Sequence, residues 1–168
     1  MVRIRFIIGM FLFYSGILHA DKIDDKIQKE CAKDSPSNYF GTYIVDYYAK
    51  KSFHEYSIEN EKYIGDKIVN KNYIIKKNVY KSVRWAKREN PIYRIECIRL
   101  YKEEGEVHNK KYSFFHGFGE DRNYIKLLKI YENKEQMMKG IHINYFEIDD
   151  PNELWLSRGG ITLILKKY

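Results

Sequence analysis

The segment Ile92-Tyr-Arg-Ile-Glu-Cys-Ile-Arg-Leu-Tyr101 decides the fold, because apolar and charged side chains alternate along it. Tyr93, Ile95 and Cys97 point to one face, and the charged residues between them point to the other. A period of two residues is typical of a β-strand with one buried face. Asn90-Pro91, just before the segment, marks a turn. We therefore expect an antiparallel sheet with this strand near its centre.

Further strands are predicted on both sides of this segment. They are rich in β-branched and aromatic residues and are bounded by turn signals; their limits are Phe40–Tyr48, Lys67–Ile75, Tyr124–Tyr131, Ile141–Ile148 and Ile161–Lys167. The stretch from Val79 to Arg88 is basic and aromatic and fits no single element. About seven or eight short strands favour an all-β barrel or sandwich. The side chains expected to face its interior are Ile44, Ile75, Ile95, Leu127, Ile143 and Leu163.

A short helix is predicted before the first strand, from Asp21 to Lys33. Ile23, Ile27 and Cys31 recur every four residues, which places them on one helical face. The segment Asp34-Ser-Pro-Ser-Asn38 ends this helix, because proline cannot continue it.

Residues 1–20 have the three parts of a secretory signal peptide. Arg3 and Arg5 form a basic start, an apolar run extends from Phe6 to Leu18, and Ala20 is a small residue at the expected cleavage site. The apolar run is shorter than the roughly 20 residues of a transmembrane helix. We therefore expect export to the periplasm or the cell exterior, with residues 21–168 forming a single domain. An uncleaved membrane anchor is the alternative.

The net charge of the exported chain remains positive. The formal charge of the full sequence is +7, and loss of Arg3 and Arg5 without any acid lowers it to +5. A modest excess of this kind favours an acidic partner or an anionic surface, with at most peripheral contact to a membrane. It does not specify nucleic acid, which an exported protein rarely meets.

Two cysteines, Cys31 and Cys97, remain after removal of residues 1–20. In an oxidising compartment the expected fate of such a pair is one disulfide. The bridge would join the N-terminal helix to the strand that contains Cys97. Two separate buried thiols are the alternative.

Four short motifs carry a family resemblance across most of residues 39–167. They are Phe40-Gly-Thr-Tyr43, Tyr63-Ile-Gly-Asp-Lys-Ile68, Asn90-Pro-Ile-Tyr93 and Gly160-Ile-Thr-Leu-Ile-Leu-Lys166. Together they resemble small, exported, lipocalin-like bacterial β-barrel proteins, with Tyr43 where lipocalins usually have tryptophan. The resemblance implies an up-and-down antiparallel barrel that binds ligands or proteins. It also implies that Arg158 packs over Tyr43, as an arginine packs over that tryptophan in lipocalins.

No pattern in the sequence predicts a catalytic, metal or cofactor site. The histidines of the mature chain are scattered and lack the close spacing of zinc ligands; they are His54, His108, His116 and His142. A Gly-x-Ser-x-Gly nucleophile motif is missing, and the paired acids Glu103/Glu104 and Asp149/Asp150 lie in polar turns. We therefore expect a protein that is not an enzyme.

Two stretches are candidates for contact with a partner. The first is basic with an interleaved aromatic residue, and its candidate residues are Lys76, Lys77, Arg84, Trp85, Lys87 and Arg88. Arginine and tryptophan are the types most enriched at binding hot spots. The second combines aromatics with glycines, and its candidates are Phe115, His116 and Phe118. Alternatively, Trp85 and the phenylalanines fill the core.

These features lead to two main hypotheses about function; adhesion of the basic stretch to a membrane or to envelope polymers is a third hypothesis. The first is an exported immunity or inhibitor protein that occludes the active site of an acidic secreted toxin or hydrolase. The second is a lipocalin-like carrier of a small apolar ligand, because ligand pockets are mostly apolar with few polar anchors. The packing of side chains inside the barrel distinguishes these two hypotheses: an open apolar pocket would support the carrier, and a filled interior would contradict it.

Overall fold

The computed structural model describes residues 25–50, 66–83, 87–100, 122–158 and 161–168. Within these ranges nine strands form one antiparallel sheet, with limits β1 Gly41–Lys50, β2 Asn72–Lys76, β3 Val79–Lys81, β4 Arg88–Glu89, β5 Ile92–Arg99, β6 Tyr124–Tyr131, β7 Asn144–Asp150, β8 Glu153–Arg158 and β9 Ile161–Lys167. The helical elements are α1 (residues 25–32), a 3₁₀ turn Pro36–Tyr39, a single turn at 66–68, and α2 Lys134–Met138.

The strands form a meander whose first and last members are paired. The order across the sheet is β4-β3-β2-β1-β9-β8-β7-β6-β5. Every neighbouring pair is consecutive in the chain except β1 and β9, and the sheet is open between the consecutive strands β4 and β5. The expectation that the strand beginning at Ile92 lies near the centre of the sheet is therefore wrong, because β5 is an edge strand. The sheet curls into a half-barrel. The prediction of a mainly β, antiparallel fold with a short N-terminal helix is therefore confirmed.

The limits of β6 and β9 coincide with their predictions, whereas the predicted strand Lys67–Ile75 is wrong in its first half. Residues 66–68 form a helical turn, and Asn70 adopts a positive φ of 63°. Asparagine tolerates this left-handed conformation better than most residues. Its backbone N–H donates to the Val45 carbonyl at 2.8 Å, so the turn is held against β1. The extended chain begins only at Asn72.

The concave face of the sheet holds a continuous apolar core. Its fully buried members come from strands on both sides of the β1–β9 ladder and include Tyr43, Val45, Ile75, Leu128, Ile130, Phe146, Leu154, Leu163 and Leu165. Tyr73 packs edge-on against Phe146, with the ring centroids 5.6 Å apart. Ile95 and Ile143 pack against this core from partly buried positions. Side chains therefore fill the described part of the interior.

Two of the side chains expected inside, Ile44 and Leu127, point to the other face. Ile44 lies opposite the exposed Asn72, between the buried Tyr43 and Val45. Leu127 lies opposite Glu147 and is nevertheless buried. Because β6 carries apolar residues on both of its faces, alternation alone did not identify which of its side chains lie on the concave face of the sheet.

Helix α1 is fastened to β5 by the predicted disulfide. Cys31 and Cys97 are bonded, with their Cα atoms 6.0 Å apart, a usual separation for a disulfide. Ile27 packs with this pair, and the Gln28 side-chain amide donates to the Cys97 carbonyl at 3.0 Å. The disulfide prediction is confirmed, and the bond is consistent with export to an oxidising compartment.

Candidate functional site

The described part of the predicted basic stretch forms the β2–β3 hairpin and β4. Lys76 ends β2, Lys77 lies in the tight turn, and Lys81 ends β3; all three side chains are exposed. We call residues 76–81 the basic hairpin. Lys87 precedes β4 and Arg88 begins it. The remaining predicted contact residues lie outside the described residues; they are Arg84, Trp85, Phe115, His116 and Phe118.

Tyr93 holds the basic hairpin against β5. Its hydroxyl lies 2.9 Å from the Lys76 carbonyl oxygen and 3.1 Å from the Val79 carbonyl oxygen, so its single proton is donated to one or the other. Burial, together with the neighbouring Tyr80 hydroxyl, raises the pKa of Tyr93 well above the usual tyrosine value. The group therefore remains a hydrogen-bond donor at physiological pH. The ring also contacts Phe40, at 5.2 Å between centroids.

The cations of this region divide into paired and unpaired groups. Lys87 contacts Glu89 at 3.0 Å, and Arg88 contacts Glu132 at 3.5 Å. Both pairs are largely exposed, so each contributes little to stability. No carboxylate of the described residues pairs with the three lysines of the basic hairpin. Their charge is therefore directed outwards.

A second feature, which no sequence pattern predicted, is a cleft of about 810 Å³ at the opposite end of β6. It is bounded by the segment after α1, the residues that begin β6 and the turn after β7; its lining residues are Asp34, Asn38, Tyr39, Arg122, Asn123, Tyr124, Lys126, Ile148, Asp149, Asp150 and Pro151. These segments are far apart in the chain, so only the folded topology brings them together.

Two charged groups of this cleft, Lys126 and Asp34, pair with each other. The Lys126 ammonium donates to Asp34 at 2.6 Å, and the Tyr39 hydroxyl donates to the same carboxylate. Burial alone would raise the pKa of Asp34, but hydrogen bonds from Lys126, Tyr39 and Asn38 outweigh burial and hold that pKa below its ordinary value. The carboxylate is therefore ionised at neutral pH and acts as a structural acceptor. A general acid would need the opposite shift.

Behind the cleft, a buried ion pair fixes Arg122. Its guanidinium contacts the Glu147 carboxylate at 3.1 Å, and the Glu147 side chain is completely buried. The same guanidinium lies over the Trp155 ring, 5.0 Å from the centroid, within the range of a cation–π contact. Among the described residues, Arg122 thus stacks on the aromatic ring of Trp155. The resemblance implied that Arg158 packs over Tyr43. The side chain of Arg158 lies outside the described part of the structure. The Tyr43 hydroxyl donates to the Tyr39 carbonyl at 2.9 Å.

The described residues contain no group of three or more His, Cys, Asp and Glu side chains suited to holding a metal ion. No helix within the same ranges has the length and hydropathy to cross a membrane. Comparisons of the chain with protein-family models, with curated proteins and with solved structures found no match.

Proposed function

We propose that this protein is an exported, non-enzymatic binding protein that occludes an acidic secreted toxin or hydrolase, as an immunity or inhibitor protein does. The basic hairpin is its contact surface. The observation that carries the proposal is the exposure of Lys76, Lys77 and Lys81 without a carboxylate partner among the described residues. These three lysines lie within six residues of one hairpin and present their charge to solvent.

The charge of the basic hairpin favours an acidic partner. Complementary potentials accelerate encounter and suppress like-charged competitors. The Tyr93 hydrogen bond fixes the backbone of the turn that carries Lys76 and Lys77. Less conformational freedom is therefore lost when a partner binds, which improves affinity.

The packing of the interior favours a protein partner over a small apolar ligand. Tyr43, Leu128 and Phe146 belong to one cluster of buried side chains on the concave face. A carrier needs an apolar cavity large enough for its ligand. The described side chains on this face instead pack against each other, so the available surface is the outside of the barrel.

Charge reversal of the basic hairpin tests this proposal. The full chain is expressed in its producing organism as wild type and as K76E/K77E/K81E, and complexes in the envelope fraction are measured by native mass spectrometry. The matched control is K26E/K29E/K33E, which reverses three exposed lysines on and just after α1. Each exposed charge pair contributes about 0.2–1 kcal/mol, so we expect the hairpin variant to lose affinity by about tenfold or more.

The control variant should retain the complex, because its net charge changes equally while the hairpin is intact. The wild-type complex should also weaken with added salt, since exposed charges are screened. Equal loss in both variants would mean that only overall charge matters, and it would contradict a defined contact surface. A stoichiometric adduct of a few hundred daltons, without any protein partner, would instead support the carrier hypothesis.

A further inference from the structure

The connection between β6 and β7 presents two exposed apolar side chains beside the basic hairpin. Met138, the last residue of α2, is 71% exposed, and Ile141 is 55% exposed. They are among the few large apolar residues that the described part of the structure leaves open to solvent. Met138 therefore gains little from burial in the folded chain, and Ile141 is less than half buried.

Hydrogen bonds at both ends of α2 fix the position of these side chains. The Asn133 side chain caps the start by accepting from the Gln136 N–H at 2.9 Å. At the other end Gly140 has a φ of 69°, its N–H donates to Met137, and the Ile141 N–H donates to the Gln136 carbonyl at 2.9 Å. This pattern is a Schellman motif. The connection is therefore a defined structure that displays its side chains.

The position of Ile141 in this motif is unusual. The residue after the Schellman glycine commonly packs against an apolar residue of the last helical turn. Here the corresponding helical residue is the polar Gln136, and Ile141 remains more than half exposed. Local folding therefore does not account for an isoleucine at this position, whereas contact with a partner does.

Two contacts place the connection next to the strands of the basic hairpin. On its N-terminal side, Glu132 contacts Arg88 of β4 at 3.5 Å. On its C-terminal side, the Asn144 side-chain amide donates to the Tyr80 hydroxyl of β3 at 2.5 Å. The connection that carries the apolar pair therefore contacts β3 and β4, and Lys81 of the basic hairpin ends β3.

We infer that Met138 and Ile141 are the apolar anchor of the partner interface and that the lysines of the basic hairpin form its charged rim. This inference rests on the proposed function. The partner is an acidic protein with an apolar depression, because an apolar centre within a polar rim is the usual anatomy of protein interfaces. Methionine suits such an anchor because its flexible thioether adapts to irregular surfaces. The lysines chiefly increase the association rate, and the anchor slows dissociation.

Site-specific photo-crosslinking in the producing organism tests this assignment. A benzophenone-bearing residue is placed in the full chain at position 138, at position 77 or at position 47. Tyr47, on β1, provides the control because it is also exposed, at 49%. We expect positions 138 and 77 to yield adducts with the same acidic protein, identified by mass spectrometry, and position 47 to yield none.

Paired variants then separate the anchor from the hairpin. With the photoreactive residue at position 77, M138S/I141S should reduce the adduct by about tenfold, and Y47S should leave it unchanged. All of these side chains are exposed, so melting curves of the purified variants should match that of the wild type. An undiminished adduct at position 77, with none at position 138, would overturn the anchor while leaving the proposed function standing. If neither position 138 nor position 77 captured a protein, or if position 138 captured lipid alone, both the anchor and the proposed function would be overturned.

Discussion

Asp34, just after α1, and the lysines of the basic hairpin use their charges in opposite ways. Around α1, the charge of Lys126 is neutralised internally by Asp34, which also accepts from Tyr39, and a disulfide joins the helix to β5. In the basic hairpin, the three lysines have no carboxylate partner among the described residues, and Tyr93 holds the turn through one hydroxyl. The first region contributes stability, and the second presents charge to solvent. Substitutions in the two regions should therefore have separable effects.

The largest effect is expected from removal of the disulfide. Its two cysteines are 66 residues apart in the sequence, and a closed loop of this length stabilises by about 4 kcal/mol in the chain-entropy model. C31S/C97S should lower the free energy of unfolding by up to about that amount, as measured by urea denaturation. The K76E/K77E/K81E variant is the comparison, and its unfolding should differ little from that of the wild type. A disulfide-free protein as stable as the wild type would contradict a stabilising role for the N-terminal region.

A smaller effect is expected at Asp34, and it should depend on pH. Hydrogen bonds outweigh burial and lower the pKa of this carboxyl in the folded state. Its contribution is therefore complete above the unfolded pKa of about 4 and is lost as the pH falls towards the lower folded pKa. D34N should be less stable than the wild type by about 1.5–3 kcal/mol at pH 7, the range for hydrogen bonds to charged groups.

Because that contribution disappears in acid, the difference between D34N and the wild type should narrow below about pH 4. Thermal melts at pH 7, 5 and 3 would measure this convergence. K26Q, at an exposed lysine of α1, is the control and should show no such narrowing. A constant difference across the series would indicate that Asp34 acts through packing and not through its charge.

The smallest effect is expected at Tyr93. Y93F removes the hydroxyl that donates to the Lys76 or Val79 carbonyl and keeps the ring that contacts Phe40. The free energy of unfolding should fall by about 1 kcal/mol. Hydrogen exchange should rise at residues 76–81 and stay unchanged near Cys31. If exchange increased in both regions equally, the two would form one cooperative unit, and the distinction between them would fail.

The strands predicted most accurately were those whose residue types indicated a β-strand and no other element. β6 and β9 are rich in isoleucine and leucine, and their limits agree with the prediction. The strand β8, Glu153–Arg158, was overlooked because it is short and lies between two strong turn signals. Its own signal was present, since Leu154 and Leu156 alternate with less apolar residues and both are buried. A segment between two turns in a meander is itself expected to be a strand.

The features that concern binding were harder to predict than the strands. Helix α2 has five residues, which is too short to show a helical period. The exposure of Met138 could not be inferred either, because an apolar residue is ordinarily assigned to the core. The cleft is formed by residues near Asp34, Lys126 and Asp150. No local pattern brings such distant segments together, so the fold itself is needed to find them.

The pairing of β1 with β9 has a consequence for the order of folding. Residues such as Tyr48 and Leu163 lie opposite each other although more than a hundred positions separate them in the chain. Pairing of such distant segments is slow, because the entropy of loop closure must be overcome before any contact forms. During synthesis from the N-terminus, one edge of β1 therefore stays unpaired until the last strand has emerged. The sheet therefore cannot be completed until β9 is available to pair with β1.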